Sequence, residues 1–157
     1  MCFAQSFSSV KIYIANPYVD RVDVIKTQMY NTDYVRSHYA TYIFSMEKNY
    51  IKNLYDSLMS VPLERVAHDS VGLIIPHGIN GEPDMYFEPC IVIDFIRGDR
   101  YNTNEDVWTF SVNKQGYVCR TFHSEGYLLC YPNQMLIGFL KRQFNGMFSL
   151  VENDARR

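Results

Sequence analysis

The chain has 157 residues, of which 47% are hydrophobic and 20% are charged, and its formal net charge is −2. A domain near this length removes roughly 68 to 70% of its unfolded surface from water, so one globular domain is expected over residues 1–151, with a frayed tail at 152–157. The near-neutral balance excludes the broad basic field of general nucleic-acid binders. No segment reaches the ~20 apolar residues that a membrane-spanning helix needs.

The first sixty residues predict two strands and two helices in alternation. Alternating apolar positions from Val10 to Ala15 predict a strand. Residues 20–30 have helical spacing, and residues 34–46 are rich enough in β-branched and aromatic residues for a second strand. A helix is predicted over 46–60, with Ser45 as its N-cap.

The rest of the chain predicts mostly strands. Residues 70–76 and 85–96 are strand candidates, and Pro89 indicates an edge or a bulge because it has no N–H to donate. The clearest hairpin covers 108–122. Further elements follow at 125–131 (strand), 133–145 (helix) and 147–151 (strand). This order predicts an α+β single domain in which a largely antiparallel β-sheet is covered by about three helices on one face.

The four cysteines are too widely spaced for a disulfide framework, and the first residues lack a basic signal region, so a reduced, cytoplasmic protein is expected. Cys119 and His123 are four residues apart in a predicted strand and would share a face, which suits zinc. Two ligands do not complete a zinc site. No metal and no cofactor are therefore predicted.

An alternative hypothesis is a hydrolase that acts on a phosphodiester or a nucleotide. Asp84 and Asp94 resemble the acid pair of metal-dependent nucleases, but Ile96 stands where the mechanism needs a lysine. His68 begins the one His-x-Ser motif, whereas phosphoesterases of this kind use two. An active site would require His68, His77 and His123 to converge with the two acids in one pocket.

The leading hypothesis is a non-enzymatic protein that binds another protein, since no catalytic pattern is complete. The chain has 13 Tyr, 10 Phe and 1 Trp, and tyrosine suits surfaces that are half buried. Residues 82–106 hold seven acidic residues against two arginines. The predicted contact residues are Asp99, Arg100, Tyr101, Glu105 and Asp106. The specific form of this hypothesis is a virus- or mobile-element-encoded inhibitor or modulator of a host enzyme or defence complex.

A second alternative is a module that binds single-stranded nucleic acid by stacking bases on the tyrosines of residues 30–55. Acidic residues offset the basic ones in this stretch, so the cationic track that such binding needs is poor. The sequence is compatible with a homo-oligomer, and no membrane partner is expected.

Overall fold

The computed structural model describes residues 7–15, 32–37, 39–60, 64–65, 74–75, 85–87, 89–98, 106–113, 117–121, 128–132, 138–139 and 142. Two helices have defined bounds, α1 (Thr32–Ser37) and α2 (Lys48–Met59). The strands are β1 (Ser9–Ala15), β2 (Tyr39–Ser45), β3 (Glu64–Arg65), β4 (Ile74–Ile75), β5 (Met85–Tyr86), β6 (Pro89–Arg97), β7 (Asp106–Asn113), β8 (Tyr117–Thr121) and β9 (Leu128–Pro132).

The strands form one antiparallel sheet in the order β2-β1-β6-β7-β8-β9-β3, and β4 pairs with β5 separately. The five consecutive neighbours β2, β1, β6, β7 and β8 make up the body of the sheet. Strand β6 lies at its centre and is buried from Pro89 to Ile96. A strand that is buried on both faces reads as a continuous apolar run, which explains the sequence from Cys90 to Ile93.

The predicted fold class, an α+β domain with a sheet covered by about three helices, is wrong. The described part of the chain is mostly sheet, with a five-stranded antiparallel body and two helices, of which α1 has six residues. The predicted strand over 34–46 is in fact α1 followed by β2. Asp33 in the first turn of α1 and Arg36 in its last turn interact favourably with the helix dipole. They stabilise a helix that the aromatic composition of this stretch did not indicate.

Several other predicted elements can be compared with the structure. The helix predicted over 46–60 is confirmed as α2, and the hairpin predicted over 108–122 is confirmed as β7 and β8. The predicted irregularity at Pro89 is also confirmed, because the pairing of β6 with β7 shifts register between Pro89 and Ile91. The predicted helix over 20–30 and strand over 147–151 lie outside the described residues, as does most of the helix predicted over 133–145.

The two helices lie on opposite faces of the sheet, whereas the sequence predicted helices on one face. Asp94 and Thr109 are paired in register, so their side chains share a face, and α1 contacts that face through Arg36. We call this the α1 face. Neighbouring positions such as Phe95 and Phe110 point to the other side, where Tyr55 of α2 packs on both rings. We call this the α2 face.

Helix α2 is held by an apolar stripe at helical spacing. Ile51, Leu54 and Leu58 are buried, and full burial of such a side chain contributes about 1.5 to 3 kcal/mol. Ser45 does not act as the N-cap, which is Glu47; instead its hydroxyl accepts a hydrogen bond from the Glu47 N–H at 3.2 Å. Neither described helix has the length and apolar character needed to cross a bilayer.

Candidate functional site

The residues of the hydrolase hypothesis fall mainly outside the described part of the chain. His68, His77, Asp84 and His123 all lie there. The structure therefore describes one member of the set, Asp94, which lies on β6 at the centre of the sheet.

Asp94 is the acceptor in a network of partly buried hydrogen bonds. Its Oδ2 accepts from Arg36 Nε at 2.8 Å and its Oδ1 accepts from Arg36 Nη2 at 2.7 Å, which is a bidentate pair. The Thr109 hydroxyl, directly across the β6–β7 ladder, also donates to Oδ1 at 2.8 Å. Metal binding or proton abstraction by Asp94 would have to break this arrangement.

Arg36 joins the same network to the first turn of α1. Its Nη1 donates to Asp33 Oδ1 at 2.7 Å and to the Thr32 hydroxyl at 3.1 Å. Burial lowers the pKa of Arg36, but the hydrogen bonds and charges of Asp94 and Asp33 outweigh burial and raise it above its ordinary value. The guanidinium thus stays charged and fastens α1 to the sheet.

Of the pair weighed for zinc, Cys119 and His123, the structure describes Cys119, which is buried in β8. Its partners in the ladders are Ser111 on β7 and Cys130 on β9. Within the described ranges, no group of three or more His, Cys, Asp or Glu residues is arranged to hold a metal ion.

The predicted protein-binding segment is described at its last residue. Asp99, Arg100, Tyr101 and Glu105 lie outside the described residues. Asp106 begins β7 and is paired in register with Arg97 at the end of β6. Arg97 and Asp106 are therefore the nearest register-paired residues on either side of this stretch of the sequence.

Most of the described aromatic rings belong to the core. On the α2 face, Phe7, Tyr55, Phe95 and Phe110 form a chain of ring contacts, including centroid distances of 4.9 Å for Phe7–Tyr55 and 5.7 Å for Phe95–Phe110. Arg120 approaches the same group, with a Coulombic interaction with Tyr55. Burial raises the pKa of the Tyr55 hydroxyl and lowers that of Arg120. Packing in the core accounts for these four rings.

A second group of large apolar side chains is exposed. Tyr42 and Phe44 on β2 are 42% and 50% exposed, and Met46, which follows the strand, is 63% exposed. We call these three residues the β2 patch. Their exposure follows from the period-two pattern of a strand, which turns Tyr42 and Phe44 to the same face while Ile43 packs against the core.

The β2 patch continues onto β1 within the α1 face. Tyr42 is paired with Tyr13, and their ring centroids are 5.2 Å apart. Phe44 is paired with Lys11. The surface therefore offers aromatic area, which is enriched at protein interfaces, with the cation Lys11 beside it.

Sequence reasoning missed two features of this region. The pairing of Arg36 with Asp94 joins residues 58 positions apart, and no local spacing indicates it. The β2 patch has a readable signal, the alternate large apolar residues at 42, 44 and 46, but the sequence did not separate them from the core tyrosines nearby. No family model, curated protein or solved structure was found to match this chain.

Proposed function

We propose that this chain is a non-enzymatic protein that binds another protein through the β2 patch. The observation that carries the proposal is the exposure of Tyr42 and Phe44 on the terminal strand β2 and of Met46 just after it. Single exposed apolar residues are ordinary on protein surfaces, whereas a contiguous group of large ones marks an interaction site.

The residue types of the β2 patch support the same proposal. Tyrosine, phenylalanine and methionine are enriched at protein interfaces, and aromatic anchors supply most of the binding energy there. The rings of Tyr13 and Tyr42 contact each other, so part of their side-chain entropy is lost before any partner binds. A partner surface with apolar pockets and a carboxylate near Lys11 is the best chemical match.

The acidic residues Asp99, Glu105 and Asp106 are proposed to speed association with the same partner by long-range electrostatic attraction. Replacing Asp99 and Asp106 by Asn and Glu105 by Gln should slow association and flatten its dependence on salt, because long-range attraction is screened within about 8 Å at physiological ionic strength. Stopped-flow association rates over a salt series measure this. Identical rates for the two proteins at every salt concentration would remove the steering role.

The proposal is tested by affinity capture from a lysate of the source organism, followed by mass spectrometry. Three baits are compared: the wild type, the double variant Tyr42→Ser/Phe44→Ser, and Met59→Ser as a control. Met59 is a large exposed apolar residue at the end of α2, so its variant removes exposed apolar surface at another place. The proposal predicts a stoichiometric protein that the wild type and the control retain and the double variant loses. Retention by all three baits would contradict it.

A further inference from the structure

The outer edge of β2 lacks the usual protection of an edge strand, and the inference drawn from this does not depend on the proposed function. β2 is the terminal strand of the sheet, and β1 is the one described strand that pairs with it. Edge strands are usually protected by lysine, proline or other charged residues that prevent pairing with further strands. The sequence of β2, YATYIFS, contains none of these.

Regular pairing of β2 with β1, which fixes the backbone geometry of the strand, is limited to the second part of β2. The register between β1 and β2 shifts after Ile14, which is paired with Thr41, while Ala15 is paired with Tyr39. Ala40 is therefore an extra residue, and such a bulge bends the strand locally. From Thr41 to Ser45 the register is continuous, and Ile43 is at the centre of this segment.

We propose that β2 pairs antiparallel with β2 of a second copy of this chain, about a two-fold axis at Ile43. In this register, Tyr42 of each copy lies opposite Phe44 of the other, so two aromatic cross-strand pairs form on the α1 face. The contact is isologous, since the same segment serves both copies, and it closes at a dimer. The short paired segment makes this a weak, concentration-dependent association.

Charge favours a second copy as the occupant. β2 is uncharged, so a charged strand would find no complementary group on it, while an identical strand meets no repulsion. The two copies of Lys11 would lie on strands three spacings apart, so they are separated by at least about 14 Å. This distance exceeds the Debye length of about 8 Å at physiological salt, so their repulsion is screened.

The dimer would also enlarge the β2 patch. A two-fold axis perpendicular to the sheet keeps the α1 faces of both copies on one side. The side chains at 42 and 44 point out of the sheet rather than along its edge, so they stay accessible after the backbones pair. Two patches thus become one continuous aromatic surface.

Sedimentation velocity and amide hydrogen exchange of the wild type, each measured over a range of protein concentrations, test the dimer. The expected result is a mass that rises from one chain toward two, together with slower exchange at the amides of 41–45 as concentration increases. A monomer at all concentrations would overturn the proposal. So would a dimer that leaves exchange at these amides unchanged, because its contact would lie elsewhere.

Two double variants test the register. In Tyr42→Glu/Phe44→Glu, like charges lie opposite each other across the axis, and dimerisation should weaken about tenfold or more. In Tyr42→Lys/Phe44→Glu, opposite charges meet instead, and dimerisation should be stronger than in the first variant. Both variants remove the same rings at exposed positions, so they differ in charge sign alone. Equal dimerisation constants would overturn the register, and the wild-type exchange data test the dimer even where a variant fails to fold.

Discussion

At the scale of single residues, the pairing of Asp94 with Arg36 is the strongest polar interaction that the structure describes between a helix and the sheet. Asp94 keeps 7% of its side chain exposed and Arg36 keeps 26%. Asp94→Asn should destabilise the protein by about 2 to 3 kcal/mol, somewhat less than the loss for a fully buried pair, because water partly solvates the orphaned guanidinium. Urea unfolding of the two proteins measures the difference.

Asp33→Asn is the matched control for this prediction. Asp33 contacts the same guanidinium, but its side chain is 86% exposed, and an exposed pair contributes at most about 1 kcal/mol. The expected order of stability is wild type, then Asp33→Asn, then Asp94→Asn well below both. Equal losses for the two variants would show that burial does not set the strength of this network.

Tyr55 gives the protein a dependence on alkaline pH. Burial, with a smaller contribution from Asp56, raises the pKa of its hydroxyl above the ordinary 10.0, while Arg120 opposes the change. Because the folded pKa exceeds the unfolded one, the unfolded chain ionises first. The stabilisation is complete below pH about 10 and is lost as pH rises through the folded pKa. Unfolding free energies of the wild type should therefore fall more steeply above pH about 10 than those of Tyr55→Phe. Parallel curves would contradict the assignment.

At the scale of elements, α2 is the one that local sequence determines best. Its stripe of Ile51, Leu54 and Leu58 was readable from spacing, and the structure buries all three. Leu54→Ala should cost about 2 to 5 kcal/mol because it leaves a cavity against the sheet. Asn53→Ala, on the exposed side of the same helix, should change stability by less than about 1 kcal/mol. Thermal unfolding compares them, and a small loss at Leu54 would show that α2 does not anchor the core.

Three features of the sheet could also be predicted from the local sequence. The alternation in β1, the hairpin of β7 and β8 and the bulge at Pro89 were all apparent from local pattern. The short helix α1 was not, because its stability comes from Arg36 reaching Asp94 across the fold rather than from its own propensity. The predicted fold class was wrong because it gave the helices too much weight: the described part of the chain is mostly sheet, with a five-stranded body and two helices.

At the scale of the whole molecule, the sheet separates two uses of aromatic residues. Rings on the α2 face pack with one another in the core, while those at the β2 end of the α1 face remain exposed. Composition alone indicated a binding surface or an aromatic core, and the described residues contain an aromatic core and an exposed aromatic patch. Predicting the position of the β2 patch would have required the strand order, which cannot be obtained from any local sequence pattern.

The affinity of the captured partner for the wild type and for Phe44→Ala tests the central claim most directly. Calorimetry or surface plasmon resonance would be run at concentrations where the chain is monomeric, so that self-association does not contribute. Loss of an aromatic anchor costs about 2 kcal/mol or more, and the account predicts that Kd rises by about thirtyfold. An unchanged Kd for Phe44→Ala, with the variant folded as the wild type, would contradict the assignment of the β2 patch as the binding surface.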